Sequence, residues 1–141
     1  MQMSQGKSFD EINVGDKACF SKTITSYDVY GYAGITGDFN PVHVNEEAAK
    51  NSMFKERIAH GMLSAGLVST VLGTQLPGPG TIYLGQELSF KAPVKFNDTL
   101  TAECEVVEKK EGKYILRLST TVKNQDGKEV LTGMATVMKK D

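Results

Sequence analysis

Two cysteines and two histidines are all that this chain of 141 residues offers to disulfide chemistry or to a soft metal. Cys19 and Cys104 show no C-x-x-C spacing and no secretory context, so neither a disulfide nor a structural zinc is expected. A catalytic zinc usually takes three protein ligands, and the histidines supply only two. In Ala102-Glu103-Cys104-Glu105-Val106 the alternation sets Cys104 on the apolar face of a strand, where a thiol is buried and inert. Positive charge is not in excess either: the net charge is −1, with no Lys/Arg stripe. That excludes the electrostatic footprint of a nucleic-acid binder or of an anionic-membrane binder. Lys139-Lys140 is too short a run to change this. No apolar run approaches the roughly 20 residues that cross a bilayer. The polar opening Met1–Ser8 does not read as a signal peptide, so a cytoplasmic location is expected. Glycine-rich dinucleotide and phosphate loops are missing, as is a G-x-S-x-G elbow. No cofactor is expected.

What is present is an ordinary globular composition, 40% hydrophobic and 23% charged. The length suits one domain with a proper core, and neither a repeat nor a low-complexity linker divides it. We therefore expect a single domain over residues 1–141. Its two halves differ in texture. Residues 1–80 are helical and irregular, whereas residues 81–138 alternate in strand fashion between turn signals.

An opening strand is predicted over Ala18–Ile24 and a helix over Ser26–Thr36, with Ser26 as N-cap and Gly37 as its left-handed stop. A short helix over Asn45–Lys50 follows, capped by Asn45 and favoured by Glu46 and Glu47 in its first turn. A long helix over Met62–Leu76 contains no formal charge, which predicts burial nearly all round. Pro77-Gly78-Pro79-Gly80 ends it. Strands are predicted over Ile82–Phe90, Thr99–Lys109, Lys113–Asn124 and Glu129–Met138. Glu111-Gly112 reads as a tight hairpin, and Gln125-Asp126-Gly127 as another. Consecutive hairpins make an antiparallel sheet, and the natural partner for its apolar face is the uncharged helix. The fold class is α+β.

Two constellations carry chemistry. Asp38 and His43 stand five residues apart with Asn40-Pro41 between them. Pro41 fixes its own φ and pushes Asn40 toward extended geometry, so the pair flanks a rigid turn just past a helix end. Such a turn can aim a carboxylate and an imidazole at one water, although Asp, Asn and Pro are also the ordinary residues of turns. At His60-Gly61 the long helix begins, and its first amides have no partner within it. An exposed N–H there can hold an oxyanion, and glycine lets a ligand come close. Read blandly, Gly61 is a helix-entry residue and His60 a packing or capping one.

Taken together, Tyr32 through His43, Ala48-Ala49, His60-Gly61-Met62-Leu63, Tyr83-Leu84-Gly85 and Ser89-Phe90 resemble the MaoC-like (R)-specific enoyl-CoA hydratases. The resemblance runs from about Phe9 to Met138, and its core is the Gly-Asp-x-Asn-Pro-x-His signature. It implies the hot-dog fold, an antiparallel sheet wrapped around a long central helix. It also implies syn addition of water to a trans-2-enoyl thioester, giving an (R)-3-hydroxyacyl thioester. Asp38 and His43 match the family's catalytic pair, and Gly61 matches the glycine whose amide holds the thioester oxygen. Asn40, Ser69 and Leu72 are candidate substrate-binding residues. Ser69 and Leu72 lie three apart on the long helix, a spacing that places them on one face, with Leu72 capping the acyl pocket. The expected partners are an acyl-CoA or acyl-carrier-protein thioester and a second copy of the chain in a homodimer. A CoA phosphate site would draw on Lys55, Arg57 or Lys91. A hot-dog thioester hydrolase and a non-catalytic acyl-binding module are the competing readings. Hydrolysis would release free thiol, and the joint presence of Asp38, His43 and Gly61 speaks against a non-catalytic role.

Overall fold

Among the described residues, β1 (Lys17–Thr23), β2 (Ile82–Phe90), β3 (Thr99–Lys110), β4 (Ile115–Lys123) and β5 (Glu129–Met138) form one antiparallel sheet. Its spatial order is β1-β3-β4-β5-β2. The helices are α1 (Ser26–Thr36), α2 (Pro41–Val44), α3 (Glu46–Lys50) and α4 (Gly61–Thr74). The computed structural model describes residues 6–140, so Met1–Gln5 of the polar opening lie outside it.

Side chains in a strand point alternately to opposite faces. Along β4 this buries Leu116, Leu118, Thr120 and Val122, and along β3 it buries Leu100, Ala102, Cys104 and Val106. α4 lays Leu67, Val68, Val71 and Leu72 into the same core. A helix on one face of an antiparallel sheet is the α+β packing that the residue pattern pointed to, and it is the hot-dog arrangement that the resemblance implied. Leu72 is buried to 1% exposure. Leu72→Ala is therefore expected to cost about 2–5 kcal/mol through lost burial and a residual cavity. Thermal unfolding measures it, and an unchanged melting temperature would contradict the packing.

Several boundaries differ from the expectations. The N-cap of α1 is Thr25, not Ser26. Thr25 is extended (φ −102, ψ 167) and accepts from Asp28 N–H, while the Asp28 carboxylate accepts from Thr25 N–H. That reciprocal pair is a capping box, and only the residue outside the helix can make it. α4 starts one residue early, at Gly61, and ends at Thr74. It is not buried all round: Met62, Gly66, Ser69 and Gly73 face outward. Lack of charge reported only that this outer face is uncharged and carries small residues. The β3–β4 connection is a short 3-10 turn, Glu111–Lys113, followed by Tyr114 in the left-handed region (φ 56), rather than a tight two-residue hairpin. The β4–β5 turn does form at residues 124–128, with Gly127 at φ 78.

Cys104 is buried as its alternation required, and burial, with Glu103 beside it, pushes its thiol up to about 12. Cys19 is exposed. A thiol reagent near pH 8 should thus modify one cysteine per native chain and both after denaturation. Rapid labelling of Cys104 in the native protein would refute the buried placement.

Candidate active site

α1 ends where Gly37 turns left-handed (φ 82) and donates its N–H to the Ala33 carbonyl at 2.8 Å. Only glycine takes that backbone conformation without cost, and the turn throws Asp38 out of the helix. Asn40 then caps α2, accepting Val42 N–H at 3.2 Å, with Pro41 at the first helical position. Pro is at home there because its missing N–H would have no helical partner. The expected turn is thus a helix stop followed by a one-turn helix, with Asp38 before it and His43 upon it. The Asp38 carboxylate accepts from Asn40 N–H at 3.2 Å, which steadies the side chain.

His43 is buried, and its Nδ1 lies 2.7 Å from the Ile58 carbonyl oxygen. A carbonyl only accepts, so His43 donates from Nδ1 and its neutral ring carries the lone pair on Nε2. His60, at the N-cap of α4, lies with Nε2 2.9 Å from the backbone carbonyl of Asp38 and donates to it by the same logic. Its ring stacks on His43 with centroids 3.9 Å apart and meets Tyr32 at 4.6 Å. Gly61 follows as the first residue of α4. Among the described residues no acceptor meets its N–H, which lies at the positive end of the helix dipole. A Cβ at Gly61 would come within 2.8 Å of the Phe90 ring, so any larger residue has to push that ring aside.

A cavity of about 490 Å³ gathers Asp38, His43, His60 and Gly61, walled by Phe54, Phe90 and Val94. One oxygen of Asp38 and one ring nitrogen each of His43 and His60 lie within 4.8 Å of one another. Two hydrogen bonds of about 2.8 Å meeting at one water span up to about 5.6 Å, so a single water fits between such groups. Among the described residues the same three side chains are also the group close enough to hold a metal ion. Two imidazoles stacked face to face converge poorly on one tetrahedral centre.

The remaining candidates separate. Asn40 stays at the cap of α2. Ser69 lines a second, largely apolar cavity of about 580 Å³ with Tyr32, Met62, Gly66, Tyr83 and Leu84. Tyr83 is 40% exposed, yet its partial burial pushes the phenol up to about 12, with the Cys104 thiol adding to the effect. Leu72 lines neither cavity. Residues three apart on a helix differ by about 60° in direction, and the edge of the core falls between these two. Of Lys55, Arg57 and Lys91, Lys91 borders the first cavity. Arg57 instead stacks over Phe96 at 4.7 Å and donates to the Tyr30 hydroxyl. Reading the sequence missed the part His60 plays here. Its contact with Asp38 spans 22 residues, and no local pattern announces it; adjacency to Gly61 was the one available signal.

A family model described as MaoC like domain matches residues 12–128. This chain belongs to the MaoC-like family. It is 51% identical over 130 residues to the (R)-specific enoyl-CoA hydratase of Rhodospirillum rubrum, covering 92% of this chain and 90% of that one. Against the (R)-specific enoyl-CoA hydratase of Aeromonas caviae it is 45% identical over 130 residues, covering 92% and 97%. The solved structure of an R-hydratase from Pseudomonas aeruginosa in the unliganded form superposes with a TM-score of 0.90 at 47% identity, covering 95% of this chain and 86% of that one. The MaoC-like match takes in Asp38, His43 and Gly61, the three residues that the first cavity brings together.

Proposed function

We propose that this protein is an (R)-specific enoyl-CoA hydratase, adding water across a trans-2-enoyl thioester on one face and running in reverse as a dehydratase. The observation that carries the reading is the meeting of Asp38, His43 and the unpartnered Gly61 N–H at one cavity. Hydration forms a C–O bond at the β-carbon and a C–H bond at the α-carbon. One member of the pair takes a proton from water as its oxygen attacks, and the other delivers a proton to the α-carbon from the same side. At His43 the exchanging atom is Nε2, because Nδ1 is engaged with Ile58. Negative charge grows on the thioester oxygen as water adds, and Gly61 N–H is the donor suited to it. With crotonyl-CoA, enoyl absorbance should fall without release of free thiol. Thiol release at the same rate would replace this reading with thioester hydrolysis. Persistence of the enoyl signal would point to a binding module.

The active unit in this reading is a homodimer. β2 is an edge strand carrying exposed Ile82, Tyr83 and Leu84, and α1 exposes Tyr27 and Ile35. An unpaired apolar edge invites pairing, and a second copy offers the matching one. Light scattering at assay concentration should report two chains; a fully active monomer would count decisively against it. The carrier is a CoA or acyl-carrier-protein thioester, and the site is expected to work in the cytoplasm.

A further inference from the structure

We propose that His60 is a positioning residue that sets the acid–base pair against the oxyanion donor. It touches all three parts of the machinery. Its backbone leads directly into Gly61, its Nε2–H is bonded to the Asp38 carbonyl at 2.9 Å, and its ring stacks on His43 at 3.9 Å. The other ring nitrogen, Nδ1, is buried with no hydrogen-bond partner among the described residues. The bond to Asp38 is therefore the ring's one polar tether. A buried nitrogen without a partner costs stability, so a side chain chosen for packing alone would not be an imidazole here.

The geometry assigns a purpose to that cost. Asp38 lies on an exposed stretch between α1 and α2, and its own side chain is bonded only locally, to Asn40 N–H. Nothing in that local bond fixes its distance from α4. His60 supplies the missing constraint, because a rigid planar ring spans from the start of α4 to the backbone of Asp38. Stacking on His43 transmits the same constraint to the imidazole. Reaction geometry is steep in distance: a displacement of about 1 Å can cost about 10²-fold in rate. Loss of the tether should accordingly fall on the chemical step and spare binding of the thioester.

This inference rests on the hydration reading for its kinetic arm, and a second arm is independent of turnover. Gln places an amide N–H near the position of the imidazole Nε2–H, so H60Q should preserve the tether, whereas H60A removes it. We expect kcat for crotonyl-CoA to fall about 10–100-fold in H60A with KM little changed, and to recover most of the way in H60Q. Should H60A fail to fold, H60N serves in its place, since its amide is one bond too short to reach Asp38. The independent arm is amide hydrogen exchange at Phe39 and Asn40, expected to quicken in H60A or H60N and to stay near wild type in H60Q. Wild-type turnover of crotonyl-CoA tests the hydration reading by itself. Equal loss in H60Q and H60A, a rise in KM in place of a fall in kcat, or unchanged exchange in H60A would overturn the role given to His60.

Discussion

Replacing Asp38 with Asn, or His43 with Asn, is expected to lower kcat by about 10²–10⁴-fold each while the fold persists. The size follows from what the proposed reaction asks of each group, since in it both would move a proton in the step that makes or breaks the β-carbon–oxygen bond. Persistence of the fold follows from what each substitute keeps. Asn at 38 retains the oxygen that accepts Asn40 N–H, so the local turn loses charge without losing its bond. Asn at 43 sets an amide N–H near the place of Nδ1, so the Ile58 carbonyl keeps a donor while Nε2 disappears. Stability should accordingly change little, because neither carbonyl nor amide is left unpaired. If the two groups share one water, the double variant should be barely worse than the poorer single one. Turnover of crotonyl-CoA beside a melting curve for each variant decides it. Near-normal kcat in either folded variant would remove that residue from the reaction.

Gly61→Pro is expected to reduce kcat by about 10²–10³-fold, the usual cost of losing one oxyanion donor. The position is unusually well suited to the test. Gly61 is the first residue of α4, where proline is tolerated because that N–H has no helical acceptor. His60 before it is already extended, at φ −62 and ψ 135, which is what a following proline demands. The substitution thus deletes the donor and leaves the helix. It also introduces a Cβ that meets the Phe90 ring within 2.8 Å. Gly61→Ala carries the same Cβ and keeps the N–H, so the ratio of the two variants isolates the hydrogen bond. Phe90 is 54% exposed and has room to turn away from the added carbon. Equal activity in the alanine and proline variants would show that the Gly61 amide takes no part.

Much of this molecule is written locally. The alternation of Leu116, Leu118, Thr120 and Val122 follows from a period of two, and β2 and β5 begin and end where their residues alone placed them. Gly37 could be read in the same way, because a helix stop depends on a few neighbouring atoms, whereas the one-turn helix that Asn40 caps was not foreseen. With the stop and Pro41 came Asp38 and His43 on either side of a fixed bend. Where two adjacent residues could serve one local need, the sequence did not choose between them. Thr25 and Ser26 both carry a hydroxyl, and backbone geometry made Thr25 the cap. The uncharged α4 was recognisable as a core helix, yet its direction was not. Only packing against β3, β4 and β5 turned Leu72 inward and left Ser69 on the outer side. The placement of His60 belongs wholly to the tertiary structure. Its bond to Asp38 spans 22 residues, and that of His43 to Ile58 spans 15, so both form only after the helices have docked. Spacing along a chain determines which groups share an element. The distances between elements, on which the proposed sharing of one water by Asp38 and His43 depends, are set by how their apolar faces close against one another.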